Sequence, residues 1–277
     1  MNVPARSAAK GPSLRSVAMP AEHGGWGLTL EPGLLGLFVA PSVAGLLLGL
    51  AALLAFLVRT PLRLLLIGRR RDHEGHVTRS AAGVERQRLA ARVAIVELAG
   101  LAVAAMLAVL LAAGTAWWLP GLVAAPLFAV ALWYDRRSLS RHLVPEVVGS
   151  LALASVAAMG ASAGGAAWPL AVGLWVILGA RILSSIPHVR AQVLRLHGHA
   201  APPALTLAGD AAALIVAAGA VVLDASLLLG ALAVVGLVVI QRVTLIRPPR
   251  PARILGVRQM ILGFAVVAAT AVGTWLS

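Results

Sequence analysis

The apolar positions along this chain neither alternate nor form narrow stripes; they run. Stretches of Leu, Ala, Val and Gly near the roughly 20 residues that a spanning helix needs recur at 27–41, 43–66, 91–113, 116–134, 145–164, 168–187, 204–223, 225–241 and 257–276. In hydrocarbon every backbone N–H and C=O must be satisfied within the structure, so such stretches are helices or strands of a closed barrel. The ten-residue alternation of a barrel is missing. The pattern predicts an all-α polytopic membrane protein of about nine transmembrane helices. The first span is short, contains Glu31 and Pro32, and is followed by a turn of only Pro41 and Ser42. The first two spans therefore form either two crossings or a re-entrant hairpin.

Composition agrees: 60% of residues are hydrophobic and 12% charged, against about one quarter charged in a soluble domain. The formal charge of +13 does not point to nucleic acid, because the arginines sit in short segments between apolar runs and not on a basic soluble module. Their placement carries topology instead. Arg69, Arg70, Arg71, Arg79, Arg86 and Arg88 follow span two; Arg136, Arg137 and Arg141 follow span four; Arg190 and Arg195 follow span six; Arg242, Arg247, Arg250 and Arg253 follow span eight. The connections around Ser42, Thr115, Gly165 and Asp224 carry no Lys or Arg. Under the positive-inside rule the N-terminus is cytoplasmic and the C-terminus outside. Residues 1–25 hold Arg6, Lys10 and Arg15 but no apolar core, so they read as a polar basic leader and not a secretory signal. Residues 26–277 form a single transmembrane helical domain. The chain has no cysteine, which rules out disulfides and thiolate chemistry. The dominance of Ala, Leu, Gly, Val and Arg over a single lysine suggests a high-GC bacterium, and hence a bacterial cell membrane.

Two polar stretches stand out on the arginine-rich side. Residues 69–92 mix Asp72, Glu74 and Glu85 with arginines and predict an amphipathic cap on the cytoplasmic face, where basic residues attract anionic lipid. His188–Pro203 is its counterpart. Each follows a helix with an intramembrane arginine, which hints at an internal duplication.

Charges inside spans cost a few kcal/mol each and face a bundle interior or a wet cavity. Here they are Glu31, Arg59, Arg63, Glu97, Arg181 and Asp210. Arg59, Arg63 and Arg181 fall in the cytoplasmic halves of their spans, beside Pro61 and Pro187, and His188 and Arg190 follow closely. Together they outline a basic pocket open to the cytoplasm. The bland alternative is that the arginines snorkel to headgroups or pair with Glu97 or Asp210 as structural glue. Before the first span, Glu22 and His23 place a carboxylate and a titratable ring on glycine-rich backbone, and Trp26 suits the headgroup zone. The same residues would serve simply to begin a helix at an interface. His73 with His76, and His197 with His199, lack the third ligand that a metal site needs. No phosphate loop, nucleophile elbow or dinucleotide fingerprint occurs in a strand-to-helix context, and the residues imply no cofactor.

The stretch PAEHGGWGLTLEP at 20–32 resembles the opening signature of the YwiC-like bacterial membrane proteins, and LGVRQMILG, with Gly256, Arg258 and Gln259, resembles their last-helix motif. The resemblance implies a membrane protein without an assigned activity. More distantly, LWYDRRSLSRHLVPEVVGS at 132–150 resembles the passage from helix four to helix five in the UbiA-type prenyltransferase superfamily. That likeness implies nine helices, two cytoplasmic caps after helices two and six, and an internal duplication. Those enzymes hold magnesium on two aspartate-rich motifs, whereas the matching regions here read RTPLRLLLIGRRRD at 59–72 and RILSSIPHVRAQVLRLHG at 181–198. No catalytic residue carries over. Magnesium wants carboxylate oxygens, while arginines grip phosphate or carboxylate directly. The expectation is therefore an integral membrane protein that contacts membrane lipids and binds an anionic amphiphile without metal, through Glu22, His23, Trp26, Glu31, Arg59, Arg63, Arg181, His188 and Arg190. A small-anion permease, an assembly scaffold for an envelope complex and a degenerate prenyltransferase-like enzyme are the alternatives the residues leave open.

Overall fold

A computed structural model describes residues 13–19, 25–73, 81–137, 139 and 142–277. Among them the chain forms ten α-helices, one 3-10 turn and no strand. A short helix, α1 (Leu14–Ala18), precedes α2 (Gly25–Val39), α3 (Val43–His73), α4 (Ala81–Leu111), α5 (Leu119–Arg136), α6 (Leu143–Ala163), α7 (Trp168–Leu196), α8 (Pro203–Leu223), α9 (Leu228–Ile246) and α10 (Ala252–Leu276). Each predicted span thus lies on its own helix, α2 to α10. Seven of these, α3, α4 and α6 to α10, are long and apolar enough to cross a membrane. At about 1.5 Å per residue, the 15 residues of α2 reach only some 22 Å, short of the roughly 30 Å hydrocarbon core. The chain is an all-α, multi-pass membrane protein.

The expected caps are where the structure departs from the sequence reading. α3 runs on to His73 and α4 begins at Ala81, so most of 69–92 continues the spanning helices, with 74–80 outside the described residues. In the same way His188 to Leu196 is the last part of α7 and not a separate cap. Pro187 does not end α7, for a physical reason. Proline has no N–H, so it leaves the carbonyl four residues earlier, Leu183 C=O, without its helical donor. In a membrane such freed groups are tolerated when a neighbouring helix covers them. Gly209 of α8 lies directly over this one: a Cβ there would sit 2.6 Å from the Leu183 oxygen and 3.0 Å from the Pro187 ring.

The chain divides into two compact units, residues 1–21 with 53–103, and residues 22–52 with 104–277. In the first, the Leu54 side chain packs on Gly100 of α4. In the second, small residues set the helix spacing, as expected where lipid offers no hydrophobic drive between helices and close backbone approach supplies the attraction. Gly36 of α2 faces the backbone of Ala157 on α6, Gly33 faces Gly49, and Gly45 faces Gly160. The core of this unit, around Leu35, Leu174, Ile177, Leu178, Val234 and Val267, joins α2, α7, α9 and α10.

Gly209→Ala should therefore strain the covered proline break, costing about 1–3 kcal/mol as overpacking does. Gly219→Ala on the same helix meets open space. Thermal unfolding in lipid nanodiscs should show a lowered Tm for the first variant and a near-native one for the second.

Candidate functional site

α7 carries Arg181, Ser184, Ser185, His188 and Gln192, all buried. Their spacing of three, four, seven and eleven residues from Arg181 puts them on one helix face. Facing them are Glu31 of α2, Thr206 and Asp210 of α8, Gln241 of α9 and Gln259 of α10, also buried. Farther from the arginine-rich ends, the same helices bury Leu174, Ile177 and Leu178 (α7), Ala213 and Ala217 (α8), Val234 and Leu237 (α9), and Val266 and Val267 (α10). The interior of this unit is therefore polar in one half of its length and mainly apolar in the other, where the buried hydroxyls of Ser155 and Thr270 bond back to carbonyls of their own helices, with the change at Arg181. From Arg181 to Arg195 the seam covers roughly 21 Å at about 1.5 Å per residue.

At the change of character stands an ion pair. Arg181 Nη2 donates to Glu31 Oε1 at 2.8 Å and to the Gln259 backbone oxygen at 3.0 Å, with the two side chains 3% and 2% exposed. Two glycines make room for it. A Cβ at Gly263 would overlap the Glu31 carboxylate and lie 2.6 Å from Arg181 Nη2, and one at Gly27 would sit 3.1 Å from Glu31 Oε1. Residues 25–32 of the opening stretch and 255–263 of the closing one, which carry the YwiC-like resemblance, thus meet at this pair.

A hydrogen-bonded cluster follows. Ser184 Oγ lies 2.6 Å from Asp210 Oδ1 and 2.8 Å from Gln241 Oε1; with one proton it donates to one of them at a time. Asp210 Oδ2 accepts from Arg242 Nε. Gln241 Nε2 donates to Ser185 Oγ at 3.1 Å and to Gln259 Oε1 at 3.3 Å. Nearer the helix ends, Gln192 Nε2 donates to the Thr244 carbonyl, and Arg195 donates to the carbonyls of Leu245 and Arg247.

Arg258 is different. Its Nη2 lies 3.0 Å from His188 Nε2. A guanidinium only donates, so Nε2 accepts and the ring is neutral with its proton on Nδ1. Arg181 has Glu31, Arg242 has Asp210 and Arg190 has Glu146 at 3.0 Å, but among the described residues Arg258 pairs with no carboxylate. Six buried atoms of the seam have no hydrogen-bond partner among the described residues: Arg181 Nε, His188 Nδ1, Gln192 Oε1, Arg242 Nη2, Arg258 Nε and Gln259 Nε2. In the tautomer that Arg258 imposes, five of the six are donors.

The structure brings together Glu31, Arg181 and His188 of the expected site. Arg190 faces Glu146, and Trp26 is partly buried at the start of α2. Arg59 and Arg63 are exposed on α3, in the other unit. Glu22 and His23 lie outside the described residues. Sequence reasoning missed Arg258, Arg242, Gln241, Gln259 and the two serines as site residues. The signal that would have found the α7 members was the regular three- and four-residue spacing of polar positions through the end of the sixth span. An apolar groove of about 370 Å³ between α8 and α9, lined by residues such as Leu214, Val221, Leu228 and Val235, contains none of this chemistry.

A helical bundle whose spanning helices enclose a half-length polar interior defines an integral membrane protein. The chain matches the family model described as YwiC-like protein over residues 19–161, just over half its length, and so belongs to the YwiC-like family. No curated protein and no solved structure matches it.

Arg181→Ala would leave Glu31 as an uncompensated buried charge, which typically costs about 3–5 kcal/mol. Unfolding of Arg181→Ala, Glu31→Ala and the double variant should show a double loss clearly smaller than the sum of the single losses, the sign of direct coupling.

Proposed function

We propose that this YwiC-like membrane protein binds an anionic amphiphile at the arginine-rich end of the seam, with Arg258 supplying the charge and His188 Nδ1–H a directional donor. The observation that carries the reading is that Arg258, which pairs with no carboxylate among the described residues, is set against a neutral imidazole and accompanied by buried donors without acceptors there. Such a surplus of donors suits a phosphate or carboxylate, which is acceptor-only when ionised. By the positive-inside pattern this end faces the cytoplasm. Arg181 and Glu31 then act as the floor beneath the ligand, and Arg190, held by Glu146, stands at the rim. The exposed Arg59 and Arg63 read as headgroup-facing arginines whose stems lie along the helix. An amphiphile fits better than a freely permeating small anion, because the apolar half of the interior blocks passage of a hydrophilic solute beyond Arg181. The reading assigns binding and no reaction.

The test is a thermal-stability titration in zwitterionic nanodiscs with added anionic lipid or alkyl phosphate, with and without magnesium. Saturable stabilisation that needs no metal is expected, since a ligand at about 100 times its Kd adds about 2.7 kcal/mol. Arg258→Gln should weaken binding by about tenfold or more, the loss of a hydrogen bond from a charged group at about 1.5–3 kcal/mol. An Arg258→Gln protein of native Tm that binds as the parent does would refute the site.

A further inference from the structure

We infer that Glu97 of α4 is a proton-binding site inside the membrane: its carboxyl holds a proton and offers it to the Leu57 carbonyl of α3, which Pro61 leaves without a helical donor. The site lies on other helices than Arg258 and His188 and does not require the anionic ligand.

Three observations combine. The first is depth and burial. Glu97 stands midway along the apolar helix Ala82–Leu111, 15 residues from one end and 14 from the other, and is 9% exposed. Ala90 and Ala94, seven and three residues earlier, are buried on the same face, while Ile95, Val96 and Leu98 around it are exposed. The carboxyl therefore faces the packed side of α4 and not lipid. Its Oε2 has no hydrogen-bond partner, and Glu97 enters no ion pair, among the described residues. The charged residues nearest along the two helices, Arg92 of α4 and Arg59 and Arg63 of α3, are exposed. A carboxylate taken from water without a cation neutralises by binding a proton, and a proton needs no cavity.

The second observation is an acceptor. Pro61 lies inside α3 and is buried, as is Val58 one turn before it. Lacking an N–H, Pro61 frees the Leu57 carbonyl, and within hydrocarbon such a group needs a partner from the protein.

The third is register. A Cβ at Gly100 would sit 3.3 Å from Leu54 Cδ1, and 19 residue steps separate Leu54 from the end of α3 at His73, as 19 separate the start of α4 at Ala81 from Gly100. Parallel packing would set His73 and Ala81 about 57 Å apart at 1.5 Å per residue, about twice the reach of the eight steps that join them. The pair is therefore antiparallel. From the Leu54–Gly100 contact, one turn of about 4.5 Å leads to Leu57 on α3 and to Glu97 on α4. Helix carbonyls point towards the C-terminus and side chains lean towards the N-terminus, so the Leu57 oxygen and the Glu97 carboxyl are directed to the same level, that of Pro61. A protonated carboxyl is a donor and suits the freed acceptor; a carboxylate only accepts and would repel it.

Infrared difference spectra of the folded protein at neutral pH, in nanodiscs of ether-linked lipid without ester carbonyls, read the proton directly, because a protonated carboxyl and a carboxylate absorb in separate windows. Glu97→Gln should lose one protonated-carboxyl band and no carboxylate intensity. Glu97→Asp keeps the group and only shortens it, so which of the two bands it moves gives the same decision should the first variant fail to fold. Pro61→Ala returns a helical N–H to the Leu57 carbonyl and should shift the protonated band by competing for its acceptor. Loss of carboxylate intensity in Glu97→Gln, or a carboxylate band moved by Glu97→Asp, would overturn the site, and a band unmoved in Pro61→Ala would overturn the link to Leu57. No anionic ligand is added, so failure of anion binding and failure of this site are read separately.

Discussion

A buried charge in a membrane must be answered within the protein, and in this chain the answer to Glu31 and Arg181 organises the larger unit. The two residues lie 150 positions apart on α2 and α7, and the Gln259 carbonyl of α10 completes the arrangement. Three helices are thereby held in one register, since sliding any of them by a turn would separate charges that hydrocarbon does not solvate. The pair also explains why Gly27 and Gly263 stand where they do: any side chain at Gly263 would take the carboxylate's place.

From that pair the two halves of the interior diverge. One side is filled by aliphatic side chains and small residues that bring backbones together, as at Gly36 on Ala157. The other is a sequence of hydrogen-bonded side chains in which each helix contributes its share, Ser184 to Asp210, Gln241 to Ser185 and Gln259. A soluble helix is amphipathic around its axis; α7, α8, α9 and α10 here change character along it. That design places polar chemistry midway along the spanning helices, with a mainly apolar packing layer beyond it. Arg258, against His188 and with no carboxylate partner among the described residues, is a point at which the polar half carries uncompensated charge there.

Much of the architecture was legible in the chain because hydropathy alone determines it: nine apolar runs became α2 to α10. The ends of helices were not, since the criterion stops at the first cluster of polar residues. The reading ended the eighth span at 241 and assigned Arg242 to a loop, while α9 runs to Ile246 and Arg242 turns inward to Asp210. Likewise Pro187 looked like a boundary, because the glycine that covers its freed carbonyl comes from a different helix, 22 residues later. Glu31, Arg181 and Asp210 were visible as expensive intramembrane charges. Their partners were not, because pairing across helices depends on which faces meet, and one sequence does not contain that. The opening and closing motifs could be recognised separately, yet only the fold brings them to the same ion pair.

The claim that one charge pair organises the unit is tested most directly by exchanging the charges. Glu31→Arg and Arg181→Glu, each alone, would bury two like charges together, and little folded protein should be recovered in lipid. The combined exchange keeps one charge of each sign at the same depth, and the account predicts that it restores a folded, monodisperse protein with a cooperative thermal transition. Single reversals that fold like the parent, or an exchange no better than either single reversal, would contradict it.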